Sequence, residues 1–219
     1  TSDWYLDIRG KAGHHMAPQK CIDPIMIASR FTATVQNDIK ARFAPGEVYV
    51  LGFGTINGGT QYNQTPEQVS MSGSFRSFST ETSEVIEQTM RRNLDGLMQQ
   101  FQNPESGVEP GYELKVVSGY PVLSNHPGFT ARATEVLRGS FPRVVDNMEL
   151  NLGAEDFSYY LEKVPGMFMF LGASNADKGI FELNHSSRFD IDEAALGIGV
   201  KAYLSLATDF LSNPNAYTG

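Results

Sequence analysis

The sequence predicts an α/β chain in two parts, an α+β unit over residues 1–118 and one stretch of an α/β domain over 119–219. Three observations carry this. Strand-like runs recur at 4–8, 47–56, 67–78 and 112–118. Two stretches of helical spacing fall between them, near 24–42 and 80–100. Beyond 118 the pattern changes to helices around a single continuous apolar run, MFMFLG at 167–172.

Each element has its own justification. Trp4, Leu6 and Ile8 alternate with Tyr5, Asp7 and Arg9, a strand within a few residues of the start. A strand so near a terminus suggests a processed chain or a piece of a longer one. Ile22, Ile25, Met26, Ser29, Thr32, Ala33 and Gln36 recur at helical spacing, and Asp23-Pro24 supplies an N-cap and a first helical residue. EVYVLGFGTI at 47–56 is rich in strand formers, and Asn57-Gly58-Gly59 marks a turn. Val69, Met71, Gly73 and Phe75 alternate with Ser70, Ser72, Ser74 and Arg76, a strand with one polar face. From Thr80 a polar helix buries Val85, Ile86, Met90, Leu94, Leu97 and Met98. YELKVVS at 112–118 closes the unit. The order βαββαβ is that of the ferredoxin-like split βαβ motif, four strands under two helices, whose open edge suits pairing with another copy.

The boundary falls near Gly119-Tyr120-Pro121. Then follow a helix (127–139), an extended piece at Glu149-Leu150, a helix (155–162), the MFMFLG strand and a helix (192–212). An α/β sheet needs more than one buried strand. The other strands of this domain are expected to lie elsewhere.

Composition bounds the function. The chain has 219 residues, 41% hydrophobic and 19% charged, enough for one large or two small domains. Its 21 glycines and 11 prolines are dispersed, which excludes collagen-like and low-complexity chains. A net charge of −8 argues against nucleic acid or an anionic membrane as partner. Cys21 stands alone, which excludes a disulfide framework and a Cys-rich zinc module, and permits a reducing compartment such as the cytoplasm. No uninterrupted apolar run approaches the ~20 residues that span a bilayer.

Few residues could carry chemistry. His14 and His15 sit in a Gly-rich turn after the first strand, where an imidazole can meet a ligand; an exposed loop histidine would look the same. His185 lies between an apolar strand and a helix, among Glu182, Asp190, Asp192 and Glu193. This is a common place for a metal ligand, and equally a loop with a carboxylate cap. Glu155-Asp156 could act as paired carboxylates or favour a helix start. Asn63 offers a donor and an acceptor or a turn; Arg76 offers a carboxylate fork or a surface strand residue. Gly52-Phe53-Gly54 lacks the full dinucleotide fingerprint.

Taken in order, GKAGHHMAPQKCIDPIMIAS, the Gly58-Gly59 turn, NQTPEQVSMSGSFR, GAEDFSYYLEKVPGMFMFLG and LNHSSRFDIDEAALGIGV resemble the M20 family of metal-dependent peptidases and amidohydrolases. The branch is that of N-acyl-amino-acid, hippurate and auxin-conjugate hydrolases. The resemblance implies a ferredoxin-like lid over 1–118 that forms a homodimer, and the C-terminal part of a zinc-peptidase-like α/β catalytic domain over 119–219. It implies that His14 polarises the scissile carbonyl and that Asn63 is also a donor to the substrate, both acting from the neighbouring subunit. By the same resemblance Arg76 clamps the substrate carboxylate, Gly172 lies by the site, His185 is the last metal ligand, and Glu155-Asp156 is partly structural.

The implied activity is hydrolysis of the amide of an N-acyl amino acid or small peptide, with two divalent metals, zinc or manganese. His15 stands where the family usually has a small residue. The family's other metal ligands and its general-base glutamate lie upstream of the lid, and one histidine cannot hold two metals. The chain alone is therefore expected to be inactive, needing an N-terminal chain or segment with the remaining ligands. A non-catalytic dimerisation or binding module derived from the family is the alternative, and a ferredoxin-like sensor domain a weaker one, since it leaves residues 155–200 unexplained.

Overall fold

The structure is a computed structural model in which residues 1–217 are described. The chain divides into two compact units: Thr1–Val122 with Leu152–Ala154, and Leu123–Asn151 with Glu155–Gly219.

The first unit contains β1 (Ser2–Arg9), β2 (Gly13–His14), α1 (Pro24–Lys40), β3 (Tyr49–Gly58), β4 (Gln64–Thr65), β5 (Gln68–Ser77), α2 (Thr80–Gln100) and β6 (Gly111–Ser118). Four strands form an antiparallel sheet in the order β3-β5-β1-β6, and β2 pairs with β4 in a separate ribbon. The register Trp4↔Gly73, Leu6↔Met71, Ile8↔Val69 puts the alternating apolar residues on one face. That face, with Phe75 and Leu114, meets Ile27, Phe31, Val35 and Ile39 of α1 and Ile86, Met90, Leu94 and Leu97 of α2. Each such buried side chain contributes about 1.5–3 kcal/mol.

Asp23 caps α1, its Oδ1 accepting from Ile25 N at 2.8 Å and Met26 N at 3.4 Å. The expected helix is present, but the stripe used to find it is not the buried one. Ile25 and Met26 are exposed, while Ile27, Phe31, Val35 and Ile39 face the sheet. Two apolar stripes coexist on this helix, and only packing chooses between them. In α2 the expected stripe is buried at Ile86, Met90, Leu94 and Leu97.

Gly73 interrupts the apolar alternation for a steric reason. A Cβ there would lie 2.1 Å from the Gly52 carbonyl oxygen and 2.5 Å from Cζ2 of Trp4. Trp4 occupies that space, its ring edge-on to Phe31 and Phe53 at centroid distances of 6.4 and 5.4 Å.

The second unit contains α3 (Pro127–Ser140), α4 (Ser158–Leu161) and α5 (Ala194–Ser212). Arg132 of α3 forms a two-pronged pair with Asp209 of α5, at 2.9 and 2.6 Å, and Tyr217 O–H donates to the same carboxylate at 2.8 Å. Phe129, Phe210 and Tyr217 pack their rings beside it.

Three expectations need correction here. Residues 167–172 are not a strand, and Phe170 and Leu171 are exposed. A strand exists only where a neighbouring backbone completes its ladder. Among the described residues only the side chain of Asn125 does so, its amide exchanging bonds of 2.9 and 2.8 Å with the Phe168 peptide. The expected helix over 155–162 shortens to Ser158–Leu161. Finally, α5 reaches a mean hydropathy of 1.3, long and apolar enough to cross a membrane by length and composition. Its charges interrupt the run in sequence: Lys201 donates to the Ser140 carbonyl and Asp209 is paired with Arg132, while of the residues of α5 only Ala195 and Ala202 are buried.

Candidate functional site

The β2–β4 ribbon brings two of the expected residues together. After β1, Lys11 bridges to Ile22, and Gly13 passes so close to Cys21 that a Cβ at 13 would lie 2.3 Å from its Sγ. Only glycine allows this approach. The pairs Gly13↔Thr65 and His14↔Gln64, with a His15 N–H bond to the Asn63 carbonyl at 3.2 Å, then set His14 beside Asn63. Nε2 of His14 lies 3.4 Å from the Asn63 amide nitrogen, and Nδ1 accepts from the Met16 N–H at 3.1 Å. The turn closes with Ala17 N–H donating to the His14 carbonyl at 2.9 Å. It is His14, not His15, whose ring meets Asn63. Both His14 and His15 are exposed.

Arg76 stands apart from this pair. It lies at the far end of β5, opposite Val50, and its Nη1 donates to the Leu152 carbonyl at 2.7 Å. The ribbon adjoins the Gln68 end of β5, where Gly10 N–H bonds the Glu67 carbonyl at 2.8 Å. Eight residues of strand separate Gln68 from Arg76, about 26 Å at ~3.3 Å per residue. That exceeds the length of a small N-acyl amino acid. Nothing in the sequence pointed to the Leu152 contact, because it joins residues 76 positions apart through a backbone atom.

In the second unit, His185 is the only described non-glycine residue with positive φ, at 69°. It occupies the third position of a turn in which Ser186 N–H donates to the Leu183 carbonyl at 3.2 Å. A side chain held at positive φ is a marker of functional loops. An ion pair between Glu182 and Arg188 brackets the turn. Asp192 is the hub of the loop. It accepts from Lys178 Nζ at 2.8 Å, Asn175 Nδ2 at 2.6 Å and Ala194 N at 3.2 Å. The Lys178 ammonium bond, then the Asn175 and Ala194 bonds, hold its carboxyl down to about 2. Of the carboxylates the sequence places around His185, Asp190 accepts from Ile191 N at 2.8 Å.

Gly172 lies in the extended 167–172 segment with open space around it. Glu155 and Asp156 serve the start of α4 through their backbone carbonyls, which accept from Ser158 N and Tyr159 N at 3.2 and 3.0 Å. Their carboxylates do not cap it. Among the described residues, no three His, Cys, Asp or Glu side chains converge to hold a metal ion. His185 could supply one ligand, and the described residues by themselves do not fit a metal centre.

A model of peptidase family M20/M25/M40 matches residues 12–209. Thermostable carboxypeptidase 2 of Saccharolobus solfataricus is 34% identical over 205 residues, 93% of this chain and 50% of the relative. The N-acetylcysteine deacetylase of Bacillus subtilis is 28% identical over 200 residues, 91% of this chain and 49% of the relative. The crystal structure of the Bacillus subtilis YXEP protein, a dinuclear metal-binding peptidase, superposes with a TM-score of 0.71 at 26% identity, covering 96% of this chain and 50% of that one. The chain thus spans about half the length of the curated relatives it matches.

Proposed function

The chain belongs to peptidase family M20/M25/M40, and from this we propose that it carries the lid and the last part of the catalytic domain of a metal-dependent amidohydrolase. The substrate class is an N-acyl amino acid or small peptide, whose amide bond is hydrolysed. In this reading residues 1–118 are a ferredoxin-like lid, which the βαββαβ order and the sheet order β3-β5-β1-β6 support. Residues 119–219 complete the catalytic domain. His185 is one metal ligand, Gly172 lines the site, and the other ligands of two divalent ions, zinc or manganese, come from a segment or chain beyond the described residues. The bound metals would supply Lewis acidity and an activated water.

The observation that carries the reading is the His14–Asn63 pair, two polar side chains 49 positions apart placed side by side on an exposed ribbon. Donors so placed stabilise the negative charge that develops on a carbonyl oxygen under attack. Arg76 holds the substrate carboxylate. Its distance along β5 supports a site shared between two copies, in which His14 and Asn63 of one protomer and Arg76 of another face the same substrate. The lid is then the dimer interface.

The test starts from the particle isolated from its native source. Native mass spectrometry with metal analysis is expected to find a homodimer with two metal ions per site, and the particle is expected to hydrolyse N-acetyl amino acids. His14→Ala or Asn63→Ala in that enzyme is expected to lower kcat/KM by about 10²–10³, with an unchanged melting curve. A particle without metal and without hydrolysis would leave a dimerisation module instead.

A further inference from the structure

The two bonds of the His14 ring are not chemically independent. An imidazole nitrogen that accepts a hydrogen bond carries no proton. Met16 N–H donates to Nδ1 at 3.1 Å, so Nδ1 is bare and the one proton of the neutral ring sits on Nε2. Nε2–H is then a donor, and the amide NH2 placed 3.4 Å from it is a donor too. Two donors do not bond. The Asn63 amide therefore meets Nε2–H through its oxygen, with its oxygen and nitrogen interchanged, an assignment made from the bonding partners. Its NH2 group then points away from His14, available to another acceptor. The Met16 side chain is 87% exposed, so the contribution of this residue is its backbone N–H.

We propose that the Met16 backbone N–H locks His14 as the neutral Nε2–H tautomer, so that Nε2–H is the one donor the ring presents on the ribbon. An arriving oxygen takes Nε2–H over from Asn63 Oδ1. The contact given up is a long one, at 3.4 Å, so little opposes the exchange. Met16 is a positioning residue acting through His14. The catalytic meaning of that donor rests on the function proposed above; the tautomer does not.

The tautomer is read without substrate, in the ¹⁵N-labelled chain, from two-bond ¹H–¹⁵N correlations at about pH 8, where imidazoles are neutral. A free imidazole already favours Nε2–H, so the informative quantity is the difference between histidines. His126 is an internal standard, since its Nδ1 accepts from Phe129 N–H at 3.2 Å. His14 is expected to match His126, with one bare and one fully protonated nitrogen, while His15 shows averaged positions. Met16→Ala keeps the N–H and is expected to leave the His14 pattern unchanged. Met16→Pro removes the N–H and is expected to shift His14 toward the averaged positions of His15. An averaged or Nδ1-protonated His14 in the unaltered chain overturns the proposal, as does a Met16→Pro chain with an unshifted His14. If Met16→Pro unfolds the ribbon, the comparison of His14 with His15 and His126 decides alone. A His14→Ala enzyme with full activity would sink the function proposed above and leave the tautomer standing.

Discussion

At the scale of single residues, local backbone decides what a side chain can do. His185 is held at φ 69°, a region that costs an ordinary L-residue about 1–2 kcal/mol and glycine almost nothing. His185→Gly is therefore expected to melt above His185→Ala, by about 1 kcal/mol in calorimetry. Equal stabilities would mean that the turn relaxes. Asp192 titrates in a depressed range because charge and hydrogen bonds favour its ionised form. Its bonds to Lys178, Asn175 and Ala194 contribute fully above the ordinary carboxylate value of 3.8, and are lost as pH falls through about 2. A carboxyl titration followed by ¹³C NMR is expected to place Asp192 near that lower value, and Asp192→Asn is expected to loosen the 173–192 loop already at neutral pH. The sequence showed His14, Asn63 and Arg76 as candidates of equal standing. It could not show that the first two meet while the third lies about 26 Å along the strand, because that spacing follows from strand register.

At the scale of elements, the first unit was legible because its strand alternation and the stripe of α2 are local signals that the fold satisfies, whereas the stripe of α1 was chosen by packing. The strand at 67–78 buries Val69, Met71 and Phe75 as its pattern required. Gly73, in the same alternation, makes the closest approach of that strand to its neighbours. Gly73→Ala drives a methyl into the Gly52 carbonyl and the Trp4 ring, and is expected to destabilise the first unit by about 1–3 kcal/mol, read as a lowered denaturant midpoint with an unchanged slope. The MFMFLG segment misled for the opposite reason. Its residues have strand propensity, but hydrogen bonding between strands is a property of pairs, and a run of six residues carries no information about its partner.

At the scale of the whole molecule, the distribution of apolar surface separates the two units. The first unit buries one large apolar cluster between its sheet and its two helices, although Met16, Ile25, Met26, Val50, Ile56 and Tyr62 remain exposed. The second leaves Leu196, Val200, Leu204 and Leu211 of α5 exposed, along with Phe170 and Leu183. An apolar surface of that kind marks an interaction site or an aggregation liability. The isolated chain is expected to bind anilinonaphthalene sulfonate strongly, and a chain cut to residues 1–122 to lose most of that signal while keeping a cooperative melt. Equal dye binding by the shorter chain would assign the exposed surface to the first unit. The sequence by itself determined the order of the main elements in the first unit, the face its middle strands bury and the set of residues that could carry chemistry, since each depends on neighbours a few positions away. Tertiary structure alone decided that His14 rather than His15 meets Asn63, that the Leu152 carbonyl holds Arg76, and that residues 167–172 lack a ladder. Those depend on which distant backbone comes within the ~3 Å reach of a hydrogen bond.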